Sequence, residues 1–166
     1  DRRQVLLEEE LQEAYRQGSL VACELGCGVG NSVFPVMKAA CECGVDSVHI
    51  HAVGFSETAI ACLSSDPRRE EASAPDSGAD PRGGLRGWRE GWLRWMWSGG
   101  AGQQDRKIIP LVADVSSEYG SEAVLEQVAE STADLVLMIY SLSAVPPPRM
   151  RHVMALAHRL LVTPPP

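Results

Sequence analysis

The stretch from Val21 to Pro35, VACELGCGVGNSVFP, constrains the fold more than any other part of the chain. It begins with a short apolar run, which is typical of a buried parallel strand. Three glycines at alternate positions follow, and an apolar helical pattern comes directly after them. Because glycine has no Cβ, this turn accepts positive φ values and lets a ligand approach the backbone closely. The stretch therefore predicts a strand, a glycine-rich turn and a helix.

The helix after the turn has polar residues at its start and an apolar stripe along one face. Asn31 and Ser32 are good capping residues, so we expect them to cap its first turn. The stripe that is predicted to face the sheet consists of Val33, Phe34, Val36, Met37 and Ala40.

The glycine spacing excludes two common phosphate-binding turns. G-x-G-x-G is one residue shorter than the dinucleotide fingerprint, and no Gly-Lys-Ser/Thr follows it as in a P-loop. A strand that ends in Glu24, followed by Gly26, Gly28 and Gly30, resembles the first motif of S-adenosylmethionine-dependent methyltransferases. This resemblance implies that Glu24 lies close to the cofactor's ammonium group or braces the loop. The alternative is a glycine-rich turn that binds nothing.

Length and charge limit the classes of protein to which the chain can belong. A chain of 166 residues is the size of one domain, and its 15 basic and 22 acidic residues give a net charge of −7. This charge does not favour a broad nucleic-acid-binding surface. No apolar run approaches the roughly 20 residues of a membrane span. We therefore expect a soluble, cytoplasmic protein, with the mitochondrion and the nucleus as alternatives.

The cysteines and histidines do not indicate a metal site. Five cysteines are an odd number, and Cys41 and Cys43 are too close together for a zinc knuckle. His49 and His51 share one face of a predicted strand, but no third ligand is near them in the sequence. We expect no metal site and no disulfide framework.

The remaining pattern alternates between strands and helices. Predicted helices cover 1–17, the stretch SETAIACLSS with Ser56 as its cap, 116–131 and the residues that follow Pro146 to Pro148. In the last of these helices, the residues expected to face the sheet are Met150, Val153, Met154, Leu156 and Leu160. Predicted strands cover 45–55, 108–115 and, as a central strand, 133–142. This order predicts an α/β fold with a doubly wound, mainly parallel sheet and helices on both faces. Ligands of such sheets bind beyond the carboxyl ends of the strands. Gly26, Gly28, Asp114 and Tyr140 are all expected there.

A low-complexity insertion separates the second and third predicted strands. Residues 66–105 are rich in Gly, Pro, Ser, Ala and Arg, and we expect them to be disordered. Within them, Leu85, Trp88, Trp92 and Trp95 have the spacing of one helical face. A helix there would suit a membrane surface, a partner protein or single-stranded RNA.

Four stretches resemble one family in particular. ELGCGVGNSVFP, GFSETAI, PLVADVS and DLVLMIYSLSAVPPPRM are similar to the methyltransferase-like enzymes that form 3-methylcytidine in the tRNA anticodon arm. The resemblance spans about residues 20–62 and 106–161. It implies a Rossmann-like class I methyltransferase fold, S-adenosylmethionine as cofactor, tRNA as substrate and a protein partner that helps present the tRNA.

The same resemblance assigns roles to residues of this chain. It implies that Gly26 and Gly28 line the methionine part of the cofactor, and that Asp114 and Val115 hold or flank its adenine. Ile139 is expected to pack near the cofactor. The resemblance assigns no catalytic residue.

The chain departs from the family pattern at several positions. Gly54 occupies the place of an acidic residue that grips the ribose, and Pro146 replaces a histidine. The last helix leads into Thr163 and prolines instead of Lys-Pro-Gly, and the C-terminal strands are missing, so the chain looks truncated. Two alternatives to a tRNA methyltransferase remain. One is a non-catalytic or truncated methyltransferase-fold protein that acts only through a partner, and the other is a small-molecule methyltransferase.

Overall fold

The computed structural model describes residues 16–73 and 105–162. Within them, four parallel strands form one sheet in the order β3-β2-β1-β4, which confirms the predicted α/β class. The strands are β1 (Ser19–Leu25), β2 (Ser47–Gly54), β3 (Asp105–Val112) and β4 (Leu135–Leu137). The helices are α1 (Val33–Glu42), α2 (Glu57–Ser64), α3 (Pro67–Ser73), α4 (Glu118–Gln127) and α5 (Pro147–Leu160), with a 3₁₀ turn at Leu142–Ala144.

Helices cover both faces of the sheet, and a separate apolar cluster fills each side. On one face α1 and α2 pack against alternate residues of β2 such as Ile50. On the other face α4 and α5 pack against residues of β1 such as Leu25. The strand order reverses between β1 and β4, which is where parallel α/β sheets open a crevice for ligands. This arrangement is compatible with a Rossmann-like sheet.

The predicted apolar stripe of α1 is confirmed, but its predicted cap is not. All five stripe residues are buried. Ser32 occupies the N-cap position without a capping bond, because its hydroxyl donates to Glu24 instead. In contrast, Ser56 caps α2 as expected by accepting a hydrogen bond of 3.3 Å from the Ala59 N–H.

The predicted central strand over 133–142 is wrong in length and position. Only Leu135–Leu137 is a strand, and it lies at an edge of the sheet that the structure describes. The strand ends at Leu137, and the backbone takes a φ of +59° at Tyr140 before it enters the 3₁₀ turn. The apolar residues at the end of this stretch therefore belong to a loop at the carboxyl edge.

The inward face of α5 is also partly different from the prediction. Val153, Leu156 and Leu160 are buried as expected, but Met154 is 47% exposed. Successive helical residues are about 100° apart around the axis, so Met154 turns away from the sheet beside Val153. Ala157 takes the inward position instead.

The predicted insertion is helical where it begins. Pro67–Ser73 forms α3, and Asp105 already pairs with Ser47 as the first residue of β3. The Arg68 guanidinium lies 4.1 Å from the centre of the Phe34 ring and so links α3 to α1. The predicted tryptophan-rich helix, most of the predicted helix over 1–17 and the end of the chain from Thr163 lie outside the described residues. In 16–73 and 105–162, no helix is both long and apolar enough to span a membrane.

Candidate functional site

A cavity of about 560 Å³ opens at the carboxyl edge of the sheet. Its walls come from the turn after β1, the end of β2, and the segments that follow β3 and β4. A volume of this size is typical of small-molecule and cofactor sites. The lining residues are Gly26, Gly28, Gly54, Phe55, Ser56, Ala59, Ala113, Asp114, Val115, Ser116, Ile139, Tyr140, Ser141, Ala144, Val145 and Pro146.

Gly26 brings two walls of the cavity into direct contact. It has a φ of +91°, and a Cβ at this position would lie 2.2 Å from the Cβ of Ser141. The backbone N–H groups of Gly26 and Cys27 both donate to the Val53 carbonyl, at 2.8 and 2.9 Å. The turn after β1 is therefore held against the end of β2 and against the segment after β4.

The other two glycines of the turn have different surroundings. A Cβ on Gly28 would meet no atom within 4 Å, so this position faces open space at the cavity. A Cβ on Gly30 would lie 2.3 Å from Cδ1 of Leu63, and Gly30 does not line the cavity. Gly28 thus keeps space for a ligand, whereas Gly30 makes room for α2.

Glu24 is buried behind the turn and does not line the cavity. Its side chain is 1% exposed, and Oε1 accepts a hydrogen bond from the Ser32 hydroxyl. Oε2 has no hydrogen-bond partner among the described residues. Burial raises the pKa of this carboxyl. The resemblance implies that Glu24 either lies close to the cofactor's ammonium group or braces the loop. The contact with Ser32 is of the second kind.

Asp114 presents a carboxylate on the cavity wall, two residues after the end of β3. Its Oδ1 accepts hydrogen bonds from the backbone N–H of Ser116 at 3.0 Å and from the Ser116 hydroxyl at 2.7 Å. These bonds lower the pKa of Asp114, so the group is ionised at neutral pH. Gly120 of α4 supports it from behind, since a Cβ there would lie 2.1 Å from the Asp114 carbonyl oxygen.

Apolar and aromatic side chains form much of the remaining wall. Val115 and Ile139 line the cavity, and Ile139 is 43% exposed. Phe55 and Tyr140 also line it, although their side chains are 79% and 82% exposed. Exposed rings beside a cavity can cover a flat aromatic ligand. The sequence prediction missed Phe55 as a site residue, although its position directly after β2 was a usable signal.

The buried thiols are unsuited to nucleophilic chemistry. Burial raises the pKa of both Cys23 and Cys27 to about 12, so both stay protonated near neutral pH. His49 Nε2 lies 2.9 Å from Asp105 Oδ2, away from the cavity. Within the described parts of the chain, His, Cys, Asp and Glu side chains form no group of three or more that could hold a metal ion.

No protein-family model matches the chain, and no curated protein shows significant similarity to it.

Proposed function

We propose that the cavity binds S-adenosylmethionine and that the chain is a methyltransferase domain. The proposed target, taken from the sequence resemblance, is the ring nitrogen of a cytidine in the tRNA anticodon arm. One observation carries the proposal: a cavity at the switch point of a parallel sheet combines a glycine turn with the ionised carboxylate of Asp114. This combination suits a ligand with an amino acid part and an adenine.

The lining residues fit the proposed cofactor. The space beside Gly28 would receive the methionine part, because a Cβ there would project into it. Asp114 can accept a hydrogen bond from the adenine amino group, and Val115 and Ile139 offer apolar contacts to the ring. The cofactor, when bound, supplies an electrophilic methyl group.

The chain's own contribution would be binding and orientation. Methyl transfer to a ring nitrogen requires the two reacting atoms to be held in line, and excluding water from the site assists this. A tRNA base has to leave its stack to reach such a cavity. Phe55 and Tyr140 are exposed rings at its wall and could stack on that base. Since the chain carries a net charge of −7, we expect a partner protein to help hold the tRNA.

The absence of a side chain at the end of β2 favours a second candidate function. Gly54 provides no side chain there to bind the ribose, which suits a non-catalytic or truncated methyltransferase-fold protein that acts through a partner. A small-molecule methyltransferase is the remaining alternative, and the acidic net charge favours it over an RNA enzyme.

Calorimetric titration with S-adenosylhomocysteine tests the cofactor. We expect one saturable site, with ATP and NADH as negative controls. Asp114→Asn should weaken binding about tenfold, because it removes a charge-assisted hydrogen bond. Asp105→Asn is a matched control, since Asp105 starts β3, the strand that Asp114 follows, and lies outside the cavity. Absence of heat at high micromolar ligand would contradict the proposal.

Incubation with labelled cofactor tests the substrate. A tRNA anticodon-arm transcript should gain label in 3-methylcytidine, and a transcript with the target cytidine changed to uridine should not. Cofactor binding without label in either transcript would favour the non-catalytic candidate. Label in small metabolites alone would favour a small-molecule methyltransferase.

A further inference from the structure

The end of β2 is the place where nucleotide-binding sheets usually recognise a ribose. In such sheets an acidic side chain close to this position accepts hydrogen bonds from the ribose hydroxyls. Here β2 ends in Gly54, which lines the cavity and has no side chain. This wall of the cavity therefore lacks the usual acceptor.

The residues beside Gly54 do not replace that acceptor with another carboxylate. Phe55 and Ala59 are apolar, and the Ser56 hydroxyl already accepts the hydrogen bond from Ala59 that caps α2. Among the described residues that line the cavity, Asp114 provides the sole carboxylate. It belongs to the segment after β3, and its Oδ1 is bonded to Ser116.

We infer that the cavity selects its nucleoside ligand by the base and does not discriminate between ribose and deoxyribose. This inference rests on the proposed function, because it concerns the adenosyl part of the proposed cofactor. It makes the site of this chain more permissive than a site in which a carboxylate grips both hydroxyls.

The expected selectivity can be stated as ratios of dissociation constants. Leaving a buried carboxylate without its ribose hydroxyls would weaken binding about ten- to hundredfold. Without a carboxylate at this wall, loss of one hydroxyl should change affinity by less than about threefold.

The test compares S-adenosylhomocysteine with its 2′-deoxyadenosyl and 3′-deoxyadenosyl analogues by calorimetry. S-inosylhomocysteine, which lacks the amino group of the base, is the comparison for base recognition. We expect the three adenine ligands to bind about equally and the inosyl ligand to bind at least tenfold more weakly.

Substitution of Gly54 should create the missing selectivity. A Cβ at Gly54 would lie 3.1 Å from Cδ1 of Ile60, the terminal atom of a buried side chain that would have to shift by a few tenths of an ångström, and 3.5 Å from Sγ of Cys27. Gly54 is not among the residues with positive φ, so a side chain needs no left-handed backbone. Gly54→Asp should favour the ribose ligand over the deoxy analogues at least tenfold. Gly54→Ala adds the Cβ alone and should leave the ratio near one.

Each outcome decides a different point. Weaker binding of the deoxy analogues to the unchanged chain would overturn the inference and leave the proposed cofactor in place. Equal binding to both the unchanged chain and Gly54→Asp would also overturn it, since the ribose would then not lie beside Gly54. If S-adenosylhomocysteine itself does not bind, the proposed function fails, and the inference fails with it. The comparison on the unchanged chain remains decisive if Gly54→Asp does not fold.

Discussion

The contact between Gly26 and Ser141 gives the most detailed prediction. Gly26→Ala places a Cβ 2.2 Å from the Cβ of Ser141, far inside the 3.4 to 4 Å of ordinary contact. It also forces alanine to adopt a φ of +91°. The two residues are distant in sequence, yet both line the cavity. The variant therefore probes whether the turn after β1 really touches the segment after β4.

The expected loss has two parts. A left-handed backbone costs a residue with a Cβ about 1 to 2 kcal/mol, and an overpacked contact costs about 1 to 3 kcal/mol. Gly26→Ala should therefore lower the free energy of unfolding by about 2 to 5 kcal/mol, a large part of the 5 to 15 kcal/mol of a typical domain. Gly28→Ala should cost about 1 to 2 kcal/mol, because its Cβ meets open space and only the backbone term remains.

Urea denaturation of four proteins separates the two parts. These are the unchanged chain, Gly26→Ala, Ser141→Gly and the double variant. Ser141→Gly removes the Cβ that the new alanine would strike. The double variant should therefore regain the stability that overpacking costs, but not the stability that the left-handed backbone costs. The coupling energy from this double-mutant cycle should be about 1 to 3 kcal/mol.

A coupling energy below about 0.5 kcal/mol would refute the reasoning, since residues without contact behave additively. If Gly26→Ala does not fold at all, recovery of folding in the double variant would support the contact between positions 26 and 141. An equal loss in Gly26→Ala and Gly28→Ala would likewise contradict the contact.

Two further predictions concern buried ionisable groups. Burial raises the folded-state pKa of Glu24 above the ordinary value of 4.5, so its contribution to stability is present below that pH and is lost as pH rises through the folded pKa. Urea denaturation between pH 4 and 8 should show Glu24→Gln gaining stability relative to the unchanged chain as pH rises; a constant difference would contradict this. Iodoacetamide at pH 7.5 should modify the exposed Cys43 and Cys62 in the folded chain, and Cys23 and Cys27 only after denaturation. Peptide mass spectrometry measures this, and early modification of Cys27 would show that the turn opens.

The sequence predicted those features that depend on local periodicity and on strand ends. The stripe from Val33 to Ala40 follows the 3.6-residue repeat, so it could be identified without knowing the helix's partners. Gly28, Asp114 and Ile139 line one cavity because the carboxyl ends of parallel strands meet at one edge. The cofactor, the substrate and the family remain predictions.

Features that depend on distant contacts could not be predicted. The Ser32 hydroxyl prefers the buried Glu24 to the helix end, and capping preferences contain no information about such a partner. The end of β4 was missed because no Gly or Pro follows Leu137 closely, and the left-handed residue of this segment is Tyr140. An apolar run shows that residues prefer to be buried, but it does not show where the backbone turns.

The three glycines of the turn after β1 make different contacts and should not tolerate the same replacements. Gly26 is limited by Ser141 and Gly30 by Leu63 and Phe34, whereas a Cβ on Gly28 would project into open space at the cavity. During divergence, position 30 could accept a larger residue only if position 63 became smaller, whether or not a ligand binds. Only position 28 should respond to a change of ligand, so a protein can retain most of the G-x-G-x-G pattern after its binding activity has been lost.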